Sequence, residues 1–212
     1  WLNDTVLGTN PLRNLKVVQV DLGGNTLSET DIEDGFLRDF SVSAFDAASS
    51  AAGVLSFVVV PEHIRTQAGG SNISTGVPFT GFRADRFAVR LSGVAGNGFA
   101  SVSGLRMIAA KVPAPPAGGL RRIFMPGPPQ FGEVVLEAVA GPTATDLDSW
   151  VSAIALGTAT SRDGEVGVLN ATLSQDLAVI DLAEVRPTSF PAFPMSANRR
   201  RLTALISRFT FQ

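Results

Sequence analysis

Few residues of this 212-residue chain could carry out chemistry, and they are far apart in the sequence. The single histidine, His63, could serve as an acid–base group or a metal ligand, but general catalysis needs an oriented partner. Ser103 could be a nucleophile, yet it lacks the flanking glycines of a nucleophile elbow and falls within a predicted strand. We therefore expect a surface or packing role for His63 and no catalytic role for Ser103.

A run of acidic residues could in principle coordinate a divalent cation. The run has neither the regular ligand spacing nor the central glycine of a calcium loop, so we expect a solvated loop there. Cysteine is absent, which excludes disulfides, thiolate metal sites and a cysteine nucleophile. We expect no metal, no cofactor and no enzymatic activity. The acidic residues concerned are Glu29, Asp31, Glu33 and Asp34.

The most basic segment of the chain precedes its last predicted strand. The formal net charge of −2 provides no global positive field for nucleic acid, which argues against sequence-independent DNA binding. We instead expect Arg199, Arg200 and Arg201 to make an electrostatic contact between subunits or rings. Leu205 and Phe209 of the following strand are expected to belong to the same assembly interface.

The composition predicts a mainly β protein with one sizeable core. Hydrophobic residues make up 45% and charged residues 17%, which is the reverse of the disordered signature. Many glycines and prolines separate short apolar runs, as in β domains with frequent turns. No apolar run approaches the roughly 20 residues of a membrane-spanning helix, and the first residues do not resemble a signal peptide.

The first 80 residues predict a β-rich region. Its candidate strands are Leu15–Leu22, Phe36–Phe45 and Val54–Val60, and the polar, glycine-rich stretch Ala68–Val77 is interpreted as a linker or loop. No internal repeat is evident. We therefore treat residues 1–80 as an extension that differs from the rest of the chain.

The second block, from about residue 82, predicts strands in a defined order. Phe87–Leu91 and Phe99–Ile108 flank Asn97-Gly98, a dipeptide typical of tight hairpin turns. Prolines exclude a regular element over Val112–Gly119, so we expect a long exposed loop there. The later predicted strands, of which the second and third form a hairpin, are Gly132–Val139, Glu165–Leu173, Leu177–Leu182 and Leu202–Phe211.

One short helix is predicted over residues 145–156. Thr145-Asp146 provides an N-cap, and the apolar residues that follow recur at helical spacing. Trp150 lies on this helix and is expected to anchor it in the core. Phe87 and Phe99 are expected to be core anchors of the neighbouring strands.

Six segments, in order along the chain, resemble the tail tube proteins of contractile phage tails and related bacterial injection systems. Phe87–Leu105 (FAVRLSGVAGNGFASVSGL) resembles the strand, glycine turn and strand with which those proteins open. Thr145–Gly157 (TDLDSWVSAIALG) resembles their short helix around a tryptophan. The resemblance covers about residues 82–212. The other segments are Pro126–Leu136, Glu165–Leu169, Ala178–Pro187 and Arg201–Phe211.

The resemblance implies an antiparallel β-sandwich or barrel of the tail-tube type over residues 82–212. It implies that six such domains join into a ring, as a homo-oligomer, around a conduit through which DNA or effector proteins pass without specific binding. Neighbouring tube, sheath, baseplate or cap proteins are the expected partners, with no membrane involved. The expected location is a phage virion tail, or an injection particle in the bacterial cytoplasm or outside the cell.

Two roles for this chain in such a particle remain as alternatives: the repeating tube subunit, and a subunit of an initiator, adaptor or terminator ring. Residues 1–80 have no counterpart in short tube proteins, which slightly favours a specialised layer. They would form an outward decoration or a clamp on a neighbouring component. An alternative from a different class is an adhesive or carbohydrate-binding β-sandwich of a fibre-like surface protein. The lack of tyrosine and the scarcity of tryptophan weigh against it, because sugar platforms rely on exposed aromatic side chains.

Overall fold

The computed structural model describes residues 1–9, 11–21, 25–69, 81–95, 98–114, 124–189 and 199–212. The part before residue 70 contains α1 Leu2–Val6, β1 Arg13–Val20, β2 Thr26–Val42, β3 Phe45–Asp46, β4 Leu55–Val60 and β5 His63–Ala68. The described elements of the part after residue 80 are β6 Phe87–Leu91, β7 Phe99–Ser103, β8 Arg106–Pro113, β9 Phe124–Phe131, β10 Val134–Val139, α2 Pro142–Ala155, β11 Arg162–Leu169, β12 Asp176–Ser189, β13 Arg199–Leu205 and β14 Arg208–Phe211.

The described strands form two antiparallel sheets. Sheet one has the order β1-β2-β8-β9, and β4 and β5 also pair with β2. Sheet two has the order β3-β7-β10-β13-β12-β11-β6, and β14 also pairs with β12. The predicted mainly β (α+β) class is confirmed, although the described strands do not close a barrel. None of the described helices is long and apolar enough to cross a membrane.

The acidic run from Glu29 to Asp34 lies within the long strand β2, so the prediction of a solvated loop is wrong. Cross-strand neighbours explain why these charges are tolerated in a sheet. Asp31 is flanked in register by Lys16 of β1 and Arg65 of β5. Opposite charges in such directly opposed positions stabilise a ladder.

Helix α2 begins at Pro142, three residues before the predicted start, and its N-cap is Gly141. Proline is favoured in the first helical turn because its missing N–H has no intrahelical partner at that position. The predicted capping residues Thr145 and Asp146 consequently lie inside the helix, where the Thr145 hydroxyl donates to the Gly141 carbonyl oxygen (3.2 Å). The short helix α1 was not predicted.

The predicted hairpin around Asn97-Gly98 is wrong. Strand β6 pairs with β11, whereas β7 pairs with β10 and β3, so the two strands are not neighbours in sheet two. Asn97 itself lies outside the described residues. The predicted strand Phe99–Ile108 is also divided, at Gly104. This glycine has a φ of +84°, and a Cβ there would lie 2.0 Å from the Glu133 carbonyl oxygen.

The proline-rich segment is partly strand. β8 continues to Pro113, and β9 contains Pro126, Pro128 and Pro129, so the predicted exposed loop is too long at its start. Proline has no N–H to donate to a ladder, but β9 is the last strand of sheet one and pairs only with β8 in the path. Residues 115–123 lie outside the described part of the chain.

The predicted strand Leu202–Phe211 is two strands, β13 and β14, that both pair with β12. Between them the Ser207 N–H donates to the Ala183 carbonyl oxygen (3.0 Å). The break changes which face is buried, because Ile206 and Phe209 are both in the core although strict alternation would separate them. The predicted hairpin of β11 with β12 is confirmed by their antiparallel ladder.

One hydrophobic cluster contains side chains from both parts of the chain. Leu37, Phe40 and Phe45 of the first part belong to the same core as Val102 and Leu136 of the second. Strand β2 also pairs directly with β8. The division into residues 1–80 and 82–212 stays a prediction. The side chains at the end of β2 belong to the same core as those of the second block.

Candidate assembly surface

The three consecutive arginines begin β13, which lies between β10 and β12 in sheet two. Arg199 Nη1 is 3.6 Å from Glu137 Oε2, and Arg200 Nε is 3.3 Å from both carboxylate oxygens of Asp148. Arg201 is exposed and makes no ion pair with any described residue. Two of the three expected interface cations therefore have partners within the chain, and Arg201 is the one available to a neighbour.

The two apolar residues expected at the interface differ in exposure. Leu205 ends β13 with 45% of its surface exposed, so it lies on a free surface of the subunit. Phe209 is 0% exposed, with its ring centroid 6.0 Å from that of Phe40 and 5.5 Å from that of Phe131. The expectation for Phe209 is corrected accordingly, because a neighbour could not contact this side chain while the chain keeps this fold.

The three aromatic residues expected in the core all lie in or against it. Trp150 is 1% exposed, and its indole N–H donates to the Thr160 carbonyl oxygen (3.1 Å). Arg162 covers the same ring, with its guanidinium carbon 4.9 Å from the centroid. Phe99 is buried, and Phe87 is partly buried and packed against the core.

The residues considered for chemistry lie in different elements. His63 begins β5 in sheet one, where its Nε2 is 3.8 Å from Glu62 Oε1, whereas Ser103 ends β7 in sheet two. Glu29 is buried and its Oε2 accepts a hydrogen bond from Lys16 Nζ (2.8 Å), which raises the pKa of the lysine. Within the described ranges, no three His, Asp or Glu side chains are close enough to hold a metal ion.

An ion pair that the sequence does not suggest joins β2 to β8. Arg106 Nε donates to Asp39 Oδ1 (3.1 Å), and the second nitrogen of the guanidinium contacts the other carboxylate oxygen. This hydrogen bonding lowers the pKa of the Asp39 carboxyl. The two residues are 67 positions apart and neither belongs to a charge cluster, so only the strand pairing brings them together.

A charged network also spans β6, β11 and β12 on the outer face of sheet two. Arg90 Nη1 is 2.7 Å from Glu165 Oε1, and Nη2 is 3.2 Å from Asp176 Oδ1. Hydrogen bonds to these carboxylates raise the pKa of Arg90. We interpret this network as structural, because Arg90 pairs with both carboxylates and each carboxylate pairs with Arg90.

Comparison with protein families finds one matching model, that of T4-like virus tail tube protein gp19, over residues 83–204. Comparison with curated protein sequences finds no match. The matched range contains β6 to β12, helix α2 and all of β13 except its last residue, so it includes the three arginines and the tryptophan helix.

Several solved structures share the fold. The anti-feeding prophage cap, described as a tube-terminating cap, has a TM-score of 0.53 at 24% identity, covering 67% of this chain and 95% of that one. The PVC sheath–tube complex of an extracellular contractile injection system, in the extended state, has a TM-score of 0.50 at 23% identity over 66% and 93%. The PVC sheath/tube terminator in the extended state gives 0.50 at 23% identity over 66% and 99%.

Proposed function

The chain belongs to the family of T4-like virus tail tube proteins, and we propose that it is a ring-forming structural subunit of a contractile tail or injection system. The observation that carries the proposal is the family match over residues 83–204, which is more than half of the chain. We take six copies per ring as the expected number and a conduit for DNA or effector proteins as the role.

Free sheet edges give such a ring a physical basis. Among the described strands, β9 ends sheet one and β6 ends sheet two. An edge strand presents unpaired N–H and C=O groups, which favour pairing with another chain. When identical subunits pair through two different edges about a closed rotation, a ring results in which both of those edges are covered.

The start and end of β13 provide the polar and apolar parts of the proposed contact. Arg201 is exposed without an ion pair among the described residues, and Leu205 presents apolar surface at the other end of the strand. We propose that Arg201 pairs with a carboxylate of a neighbouring subunit. The net charge of −2 leaves no strong positive field in a lumen, so anionic cargo would pass without being held.

The part of the chain before residue 70 supports a specialised layer over the plain repeating tube. The family match begins only at residue 83, so β1 to β5 are additional to the matched domain. We propose that these strands contact a sheath, baseplate or cap protein in the assembled particle. The particle would be a phage tail or an injection system.

The mass of the purified chain in solution tests ring formation. Light scattering at physiological salt is expected to show a species of six times the 22.2 kDa chain mass at micromolar concentration. A species that stays at one chain mass over the whole accessible concentration range would contradict the proposal.

A further inference from the structure

The beginning of the chain repeats a segment found 149 residues later. Residues 1–9 read WLNDTVLGT and residues 150–158 read WVSAIALGT, with the tryptophan and the final Leu-Gly-Thr identical. Helix α1 corresponds position by position to the last five residues of α2. The repeat was not evident from the sequence because only a few positions are identical.

Hydrogen bonds at the two segments are the same. The indole N–H of Trp1 donates to the Pro11 carbonyl oxygen (2.9 Å), and that of Trp150 donates to the Thr160 carbonyl oxygen (3.1 Å). Both pairs are ten residues apart. The glycines that follow the helices also correspond, with φ values of +85° for Gly8 and +70° for Gly157.

The hairpins that follow have the same irregularities. In the β1–β2 ladder the register shifts just after the pair Arg13↔Gly35, and in the β11–β12 ladder it shifts just after Arg162↔Val185. A second shift occurs at the last pair of each ladder. A shared pair of bulges at equivalent positions identifies equivalent hairpins, because bulges are specific local features of a strand pair.

A strained residue and its hydrogen bond are repeated beside the first bulge. Asp34 and Glu184 have φ values of +49° and +51°, which non-glycine residues seldom adopt. The Asp34 N–H donates to Asn14 Oδ1, and the Glu184 N–H donates to Asp163 Oδ1, both at 2.9 Å. The side chain in the first strand therefore fixes the same bulge in both copies.

The next two strands complete the correspondence. β4 and β5 pair with β2 in the order in which β13 and β14 pair with β12. Equivalent register pairs are Phe36↔Val60 with Arg186↔Leu205, and Glu33↔His63 with Ala183↔Arg208. The described residues of 1–69 thus have the same helix end, hairpin and two further strands as residues 150–212.

We infer that residues 1–69 are a second copy of the C-terminal half of a tail-tube unit, and that the exposed, uncharged face of their β1-β2-β5 sheet binds the N-terminal half of another such unit. The occupant is a polypeptide segment with the pattern of residues 81–149: a strand like β6, sheet strands like β7 and β10, and the beginning of a helix like α2. The inference rests on the family match and concerns the pairing of two half-units into one complete unit. It does not depend on ring formation.

The two copies differ in what covers the first strand of the hairpin. In the complete unit β6 pairs with β11, Val89 lies opposite Val166, and Val166 is 0% exposed. The equivalent residue of β1 is Val17, which is 57% exposed, and that edge of β1 has no partner among the described strands. No described strand takes the place of β6 at this edge.

The three-stranded arm β1-β2-β5 has one charged face and one face without charges, on which an apolar row is followed by the mixed row Val17, Thr30 and Thr66. Leu15, Ile32 and Ile64 form one apolar row across the arm, and the adjacent row on the opposite face is Lys16, Asp31 and Arg65. Ile64 is 60% exposed, although the equivalent position in the complete unit, Phe209, is fully buried. A sheet usually turns its charged face to water and covers its less polar face, so the row of Leu15, Ile32 and Ile64 lacks its cover.

The complete unit shows what that cover is. The core that contains Val166 and Phe209 also includes Val89 of β6, Leu136 of β10 and Leu147 of α2, and the Phe209 ring packs against Phe131 of β9 and Phe40 of β2. Helix α1 repeats only the end of α2. In the complete unit, the covering segment of residues 81–149 is therefore followed directly by Trp150, the equivalent of Trp1. We favour this segment as the occupant because it is joined to Trp150 in the complete unit and because the apolar row occupies equivalent positions. The alternative occupant is the β1 edge of a second copy of the chain.

The test is an extended variant in which a copy of residues 81–149 is joined directly before Trp1 of the full chain. Hydrogen exchange of the β1 amides from Lys16 to Gln19 is measured, with those from Glu165 to Val168 as the internal reference. We expect the β1 amides to become as slow as the reference, at least a hundredfold slower than in the original chain. Unchanged β1 exchange in a folded extended variant would overturn the inference.

A substitution pair identifies the face that is covered. In the extended variant, Val17→Asp is expected to abolish the gain in β1 protection. The control Leu27→Asp is expected to preserve it, because Leu27 and its equivalent Leu177 are both exposed. Equal effects of the two substitutions would contradict the assignment of the face.

The original chain provides a second measurement should the extended variant not fold. Val17→Asp in the original chain is expected to shift the thermal midpoint by no more than Leu27→Asp does, since Val17 is uncovered there. A much larger loss at Val17, or β1 protection that rises with protein concentration, would show that another surface or a second copy already covers the face. Either result would overturn the inference.

Discussion

At the scale of single residues, Asp39 and Arg106 join the two parts of the chain. The carboxylate accepts two hydrogen bonds from the guanidinium, a geometry that is stronger than a simple surface ion pair. Because the arginine is half exposed, solvent screens the interaction and limits its contribution.

Replacing Asp39 with asparagine is expected to lower the free energy of unfolding by about 1 kcal/mol at pH 7. The pKa of Asp39 is lowered in the folded state, so this stabilisation is present above the unfolded pKa of about 3.9 and is lost as the pH falls through the folded value. Urea titrations of both proteins from pH 7 to pH 2 measure the difference. A difference that persisted at the lowest pH would contradict a charge-based role.

Trp150 offers a second prediction at this scale. Trp150→Ala removes a fully buried side chain and is expected to cost about 3–5 kcal/mol of unfolding free energy. Trp1→Ala is the matched control, because Trp1 occupies the equivalent position but is only partly buried. Thermal unfolding of the two variants should show the larger loss for Trp150, and equal losses would mean that the two environments do not differ.

At the scale of elements, β13 is the strand that we expect to contact a neighbouring subunit. Arg201→Gln removes the exposed charge, and we expect assembly at least tenfold weaker, equivalent to about 1.4 kcal/mol of interface energy. Arg65→Gln, an exposed arginine on β5, is the control. Concentration-dependent light scattering measures both variants, and assembly of Arg201→Gln equal to that of the control would exclude the contact.

The sequence predicted elements whose pattern is local. β6 was predicted at its observed bounds, because its alternating residues have one buried face. The acidic part of β2 was missed since its charges are balanced by residues of two other strands. The start of α2 was misplaced because Thr145 is a good capping residue in isolation, while Pro142 and Gly141 begin the helix earlier.

The assembly surface was predictable only in part. Arginines before a terminal strand indicated exposed charge, but their partners Glu137 and Asp148 depend on sheet pairing and helix placement. Phe209 was misassigned because the alternation along the predicted strand is interrupted after Ile206, and nothing local signals that interruption.

At the scale of the whole molecule, the family match covers residues 83–204, and we expect the part of the chain after residue 80 to fold by itself. Deleting residues 1–80 is expected to leave a folded protein of lower stability, because Phe40 no longer covers Phe209 and Phe211. Calorimetry should show one cooperative transition at a lower temperature. Loss of any cooperative transition would mean that both parts form one inseparable domain.

Electron microscopy of the purified full-length chain tests the central claim most directly. If the chain is a ring-forming tube subunit, particles at physiological salt should average to rings of uniform diameter with sixfold symmetry and an open centre, alone or stacked. Dispersed single subunits at concentrations well above those used for light scattering would contradict the account.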